Sequence, residues 1–283
     1  MEQINSTNSP GSPLIRATTS AQGLPGCNPA AGRAALIIGH PGHELCVHGW
    51  CRLSKPFVFI LTDGSGRTEL SRTPRSLWIL NQLGCTTDSE SGNLRDRDIY
   101  QALLDQNHQL FIGLARKIAR ALVIHDVDCV VGDAGEGFNP VHDVCRLIID
   151  AAVEIAGSAL NRRILNFGFR LDWRSELEHR AEPDYATTLL LDQEAFASKL
   201  AAARAYTELA PEVDSALSNN GAEAFRLEAL IPIRAAGGNQ LSSRPYYEQY
   251  GEGLVAAGVY DQVIRYHEHL APLAEALSST IQE

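Results

Sequence analysis

Read for hydrophobic period, the first 32 residues have none. Ser, Thr, Asn, Pro and Gly interrupt every short apolar stretch of residues 1–32, the pattern of a flexible leader rather than a packed element. Order is expected from Ala34. Ala34-Ala35-Leu36-Ile37-Ile38 is a continuous apolar run of strand length, which marks a strand buried on both faces. Phe57-Val58-Phe59-Ile60-Leu61-Thr62 and Cys129-Val130-Val131 repeat that pattern. Ile164-Leu165-Asn166-Phe167 is a fourth candidate, and residues 187–191 and 225–230 are shorter ones. Between these runs the period becomes helical. Helices are predicted over residues 44–53, over 74–83 with Gly84 as a C-terminal stop, over 99–122, from Pro140 onward, over 192–216, and over 246–277 with Gly interruptions near 251–258. In the 99–122 stretch Leu103, Leu104, Leu110, Phe111, Leu114 and Ile118 fall on one face. Residues 85–97 are polar and read as a loop.

Strands alternating with helices predict an α/β fold, a Rossmann-like, mostly parallel sheet flanked by helices and joined by right-handed crossovers. No internal repeat or composition break divides the remainder, so residues 33–283 are expected to form a single α/β catalytic domain behind the 1–32 leader. In such sheets ligands bind outside the carboxyl ends of the strands. The polar clusters that follow the first three strands, residues 40–43, 63–66 and 133–142, are therefore expected at one rim.

Composition narrows the function. Of 283 residues, 45% are hydrophobic and 20% charged, enough for a sizeable core. Twenty-four Lys plus Arg against 34 Asp plus Glu give a formal charge of −10, which argues against a nucleic-acid partner. Lys occurs only at Lys55, Lys117 and Lys199, so no basic run exists to hold an anionic membrane. No segment reaches the roughly 20 apolar residues of a membrane span, and residues 1–32 lack the basic start and apolar run of a signal peptide. The six Cys have no regular spacing and read as free thiols of a cytoplasmic protein. The expected partner is a small-molecule substrate.

The chemistry-bearing residues are histidines. His40 and His43 stand three apart at a strand-to-helix turn, and His142 stands near the start of a later helix. Three His at one rim match the ligand count of a catalytic zinc site with a fourth position open for water, and such an ion acidifies water and polarises a carbonyl. The alternative is that each His caps or packs locally.

The blocks around these residues resemble the LmbE-like, or PIG-L, zinc-dependent N-deacetylases. Gly39-His40-Pro41-Gly42-His43-Glu44 is similar to that family's (A/G)-H-P-D-D-E motif, and Asn139-Pro140-Val141-His142 to its H-P-D-H block. Ile60-Leu61-Thr62-Asp63-Gly64 looks like its LT-x-G strand end. Arg72, with Leu83-Gly84 eleven residues on, looks like its substrate-facing Arg and helix-closing LG. Glu223-Ala224-Phe225-Arg226 looks like a late E-x-F-R segment. The resemblance covers roughly residues 34–235, and the two His-bearing blocks are its more specific part. It implies zinc ligands at His40, His43 and His142, a substrate contact at Arg72, and hydrolysis of an N-acyl, by preference N-acetyl, group on a sugar-like or small polar substrate.

The departures are as informative. His43 replaces a ligating Asp, which imidazole chemistry allows. The family's general base falls on Gly42, which cannot move a proton. Its oxyanion-stabilising His falls on Asn139, which can still donate a hydrogen bond, and the Asp that orients that His falls on Val141. In one reading another rim carboxylate replaces the base. Glu136, between Gly135 and Gly137, has the longest reach, and Asp63 and Asp133 share the rim. In the other reading amide hydrolysis is lost, and the chain binds a ligand through the metal or runs a different metal-assisted reaction. Asp143 is expected to point away from the site, and His267 and His269 to face solvent. Tyr246, Tyr247 and Tyr250 are expected to pack on the sheet or to line the pocket.

Overall fold

The computed structural model describes residues 16–18, 32–66, 68–171, 187–233 and 244–281. Among them, eight strands form one mixed sheet: β1 (Arg16–Thr18), β2 (Ala34–Ile38), β3 (Phe57–Ile60), β4 (Thr86–Thr87), β5 (Cys129–Asp133), β6 (Leu165–Phe169), β7 (Thr187–Leu190) and β8 (Leu227–Pro232), in the order β1-β7-β8-β6-β5-β2-β3-β4. β6, β5, β2, β3 and β4 run parallel. β8, β7 and β1 extend the sheet antiparallel beyond β6. The continuous apolar runs form the central strands, and all five residues of β2 and of β5 are buried. Alternate residues of a strand face opposite layers. Ala35, Ile37 and Val130 meet α3 (Asp96–Leu104), α4 (His108–Ile124), α5 (Pro140–Leu160) and α9 (Ala271–Ser279). Leu36, Ile38 and Val131 meet α1 (His48–Ser54), α2 (Thr73–Gln82), α6 (Gln193–Ala205) and α7 (Ala210–Asn220). β2 and β5 approach closely because Gly132 lacks a side chain: a Cβ there would stand 2.5 Å from the Ile37 carbonyl oxygen.

Several expectations are corrected. Within the 1–32 leader the structure describes Arg16–Thr18, which pairs antiparallel with β7 as an edge strand. The single helix expected over 99–122 is two, α3 and α4. The polar triplet Asp105-Gln106-Asn107 separates them, with Gln106 at φ 52° and the Asn107 N–H donating to the Ala102 carbonyl, a left-handed helix stop. The helix expected over 192–216 breaks at Tyr206, whose ring is fully buried between α6 and α7. The last expected helix ends at Ala256 as α8 (Tyr246–Ala256) and resumes in a π-type turn at Tyr266–Leu270 before α9. In that turn His269 is buried rather than solvent-facing, its Nδ1 accepting the Arg265 N–H at 3.0 Å; His267 is exposed. Among the described residues no helix is long and apolar enough to cross a membrane.

Candidate functional site at the switch point of the sheet

From β2 the chain moves outward to β3 and β4, then returns to place β5 and β6 on the other side of β2. A crevice therefore opens between the carboxyl ends of β2 and β5, the position where open parallel sheets bind ligands. His40 leaves β2 there, His43 lies in a 3₁₀ turn at His43–Leu45, and His142 lies in the first turn of α5. The three rings meet. Their centroids are 5.3 Å apart for His40 and His43, 5.2 Å for His40 and His142, and 4.7 Å for His43 and His142, all edge to face.

Neighbouring groups decide which nitrogens carry protons. His40 Nδ1 lies 2.8 Å from the Thr62 hydroxyl, which itself donates to the Gly39 carbonyl, so the hydroxyl accepts and His40 carries its proton on Nδ1. Asp96 Oδ1 adds charge 3.1 Å from the same nitrogen. His43 Nδ1 sits 2.9 and 3.0 Å from the two oxygens of Asp133, and it too is a donor. Asp133 is fully buried and also accepts the Gly39 N–H at 2.7 Å, so one carboxylate ties the end of β5 to the end of β2 and to His43. In the neutral ring such an Nδ1–H leaves the lone pair on Nε2, the tautomer that second-layer carboxylates and hydroxyls impose on metal-binding histidines. His142 Nδ1 is buried with no hydrogen-bond partner. Burial pushes His43 below the ordinary imidazole range, with Asp133 opposing it. Burial, reinforced by the charges of His43 and His40, pushes His142 further down. Burial works against the Asp96 carboxylate, but hydrogen bonding and charge at His40, with help from Thr62 and Gly66, hold it well below the usual carboxylate range.

Among the described residues, no group of three or more His, Cys, Asp or Glu is arranged so that it could hold a metal ion as it stands. The ring separations can be compared with those of a three-imidazole site. Three imidazoles on one tetrahedral ion, with nitrogens at about 2.0–2.1 Å, have centroids about 5 Å apart, and the observed separations bracket that value. The site thus holds two rings whose Nδ1 is committed to neighbours and a third whose Nδ1 is buried without a hydrogen-bond partner.

The other residues singled out by sequence fall into two groups. Glu136, Asn139, Arg72 and all three His line one cleft of about 2210 Å³. Asn139 caps α5, its Oδ1 accepting the Val141 N–H at 2.9 Å, which leaves the amide NH₂ as its donor side. Glu136 Oε1 accepts the Leu171 N–H at 2.9 Å. Arg72 Nε donates to the Gly64 carbonyl. Asp63 is different: its Oδ1 accepts from the Ser65 N–H and hydroxyl, which builds the turn after β3, and it is not among the residues lining the cleft. Asp133, the other rim carboxylate, is committed to Gly39 and His43 as described. Asp143, expected to point away, lines the cleft. Its Oδ1 accepts the Glu136 and Gly137 N–H groups and pins that loop to the helix start, and burial pushes its carboxyl up to about 6.

Gly42 stands at φ 106°, a conformation that side chains rarely adopt, and a Cβ there would lie 2.4 Å from Leu209 Cδ1. Leu209 thus fills the space into which a residue-42 side chain would extend. The Gly42 N–H is bound by Glu44 and Ser76, and Ser76 also joins Glu44 and Tyr206 in a buried network under the turn. Sequence reasoning missed Asp96, Tyr206 and Leu209. Asp96 at a helix start carries only the signal of an acidic first turn, and the other two reach the site from more than 160 positions away along the chain from His40.

No family model matches the chain, and no curated protein matches it. Solved structures share its fold. A zinc-inhibited form of the teicoplanin deacetylase Orf2 superposes with a TM-score of 0.51 at 14% identity, over 73% of this chain and 100% of the other. A deacetylase–bog complex from the teicoplanin biosynthesis pathway gives 0.52 at 15%, with the same coverage. The conserved protein TT1542 from Thermus thermophilus gives 0.51 at 16%, over 75% and 99%. At these identities the likeness is one of fold.

Proposed function

We propose that the chain is a zinc-dependent hydrolase that removes an N-acyl, by preference N-acetyl, group from a sugar-like or small polar substrate. The observation that carries this reading is the cluster of His40, His43 and His142 at the switch point, with Nδ1 of two rings held by Thr62, Asp96 and Asp133. The likeness of fold to a teicoplanin deacetylase known in a zinc-inhibited form supports it. Zinc, when bound by the three His, supplies Lewis-acid chemistry that acidifies water and polarises a carbonyl. The remaining work falls to the chain. Asp133 and Thr62 hold the tautomers that ligation needs. Asn139, its oxygen committed to the helix cap, donates through its NH₂ as negative charge develops on the substrate carbonyl oxygen. Glu136 receives the proton of the attacking water and delivers it to the leaving amine, since no side chain stands at residue 42 to do so. Arg72 orients a polar substrate group.

The test combines elemental analysis with acetate release from N-acetyl sugars. The native protein is expected to hold stoichiometric zinc, and His40→Ala and His142→Ala to lose it. Glu136→Ala is expected to keep zinc and lose turnover; normal turnover in that variant rejects Glu136 as base. A second reading is favoured by Leu209, which occupies the space next to Gly42. In it the scaffold binds a ligand through the metal without hydrolysis, and the outcome is stoichiometric zinc with no acyl release from N-acetyl sugars or amino acids.

A further inference from the structure

Two exposed aromatic rings, Phe138 and Tyr246, line the cleft, and a third, Tyr250, stands beside Tyr246. Phe138, immediately before the Asn139 cap, is 60% exposed, and Tyr246 and Tyr250 are 51% and 46% exposed. One helical turn separates the two tyrosines, which puts them on one face of α8. Tyr247 between them turns into the core. The Phe138 and Tyr246 rings lie 5.1 Å apart and within 5° of parallel, and the Tyr246 and Tyr250 rings lie 6.0 Å apart and within 24°. The loop that carries Glu136 and Asn139 and the start of α8, which touches it through Tyr246 and the Tyr247 N–H bond to the Gly137 carbonyl, thus present one continuous run of rings to solvent.

We propose that this run is a binding platform for a further sugar ring of an extended substrate, beyond the unit that carries the N-acyl group; the inference rests on the hydrolase reading above. The rings stack on one another, and the aromatic surface that this leaves exposed takes up the C–H face of a pyranose, whose hydroxyls need both donors and acceptors nearby. Gln249, Asn139 and Glu136 line the same cleft and supply both. Size points the same way. The cleft of about 2210 Å³ is well above the roughly 300–1,000 Å³ of an ordinary small-molecule site, so a monosaccharide fills only a part of it. Stacked nucleic-acid bases would also fit aromatic rings, but their phosphates meet a chain of formal charge −10. The cation beside the platform, Arg244, is engaged by Glu248 and Glu252.

The test is calorimetric binding of N-acetylglucosamine and of tetra-N-acetylchitotetraose to the native protein, Phe138→Ala and Tyr246→Ala, with acetate release followed separately. Both side chains are exposed, so their loss leaves the thermal midpoint unchanged, which is checked first. The tetrasaccharide is expected to bind at least about tenfold more tightly than the monosaccharide. Each substitution is expected to weaken tetrasaccharide binding about three- to tenfold, the worth of one aromatic contact, and to leave monosaccharide binding unchanged. Equal affinity for the two sugars, or a tetrasaccharide preference that survives both substitutions, overturns the platform. Absence of acetate release with the preference intact removes the hydrolase reading and leaves the platform standing.

Discussion

Asp133→Asn keeps the shape of the side chain and removes its charge and its second acceptor oxygen. Oδ2 of the carboxylate takes both the Gly39 N–H at 2.7 Å and the His43 Nδ1–H at 2.9 Å, and Oδ1 lies 3.0 Å from the same His43 nitrogen, at zero exposure. An amide offers one acceptor and one donor side. If its oxygen takes the place of Oδ2, it still accepts from Gly39 and His43, but the NH₂ in the place of Oδ1 then stands 3.0 Å from the same His43 nitrogen and opposes a proton there, favouring the tautomer protonated on Nε2, the nitrogen that ligation requires unprotonated. If its oxygen takes the place of Oδ1, the buried Gly39 N–H faces the NH₂ and has no acceptor. Hydrogen bonds to charged groups contribute about 1.5–3 kcal/mol, and a buried orphan donor costs about 1–3 kcal/mol. Relief of carboxylate burial offsets part of that, so a loss of about 2–4 kcal/mol is expected. With a urea m-value of about 1–3 kcal/mol/M, the midpoint falls by about 1 M or more. Urea denaturation of the metal-free protein measures this, and ¹⁵N chemical shifts of the His43 ring report its tautomer. Zinc affinity is expected to fall about 10- to 100-fold. A midpoint unchanged within about 0.3 M, with His43 still protonated on Nδ1, would refute the assignment of Asp133 as the group that positions His43.

Three further outcomes are expected. Lys199 and Glu228 form a buried pair at 2.9 Å, and Glu228 also accepts the Gly49 and Trp50 N–H groups; Lys199→Met strands that carboxylate and should lower stability by about 3–5 kcal/mol, with Lys199→Met/Glu228→Gln recovering part of it in the same denaturation assay. Burial pushes His48 down to about 4, and its Nδ1 has no partner. The unfolded chain therefore takes up a proton near pH 6.5 that the folded chain refuses, and about 3 kcal/mol of stability present above pH 6.5 is lost as pH falls to 4; His48→Leu should flatten that part of a stability–pH curve. Gly42→Ala should lower the thermal midpoint, equivalent to about 1–3 kcal/mol, and Leu209→Ala added to it should restore only part, because it removes the 2.4 Å contact but not the strain of φ 106°.

The chain itself determined its central architecture. The apolar runs at Ala34–Ile38 and 129–131 are strands because a strand covered on both faces carries apolar side chains along its middle, and that demand is written continuously along the sequence; the buried carboxylate of Asp133 stands at the end of β5 with donors to meet it. Once strands alternated with helices, the rule that ligands bind at strand carboxyl ends brought His40, His43 and His142 to one rim, and their rings do meet there. Three further features were decided only in three dimensions. The rim carboxylates could not be ranked from sequence, since Asp63, Asp133 and Glu136 differ in their partners and not in their residue type. The structure gives Asp63 to a turn, Asp133 to His43 and Gly39, and Glu136 to the cleft. The space beside Gly42 is filled by Leu209, and the His40 ring is held by Thr62 and approached by Asp96, partners that local period does not record. Local pattern reports what a segment must bury against its own neighbours along the chain; tautomer, proton traffic and access depend on single contacts between segments far apart in sequence, and only the packed sheet and its helices fix those.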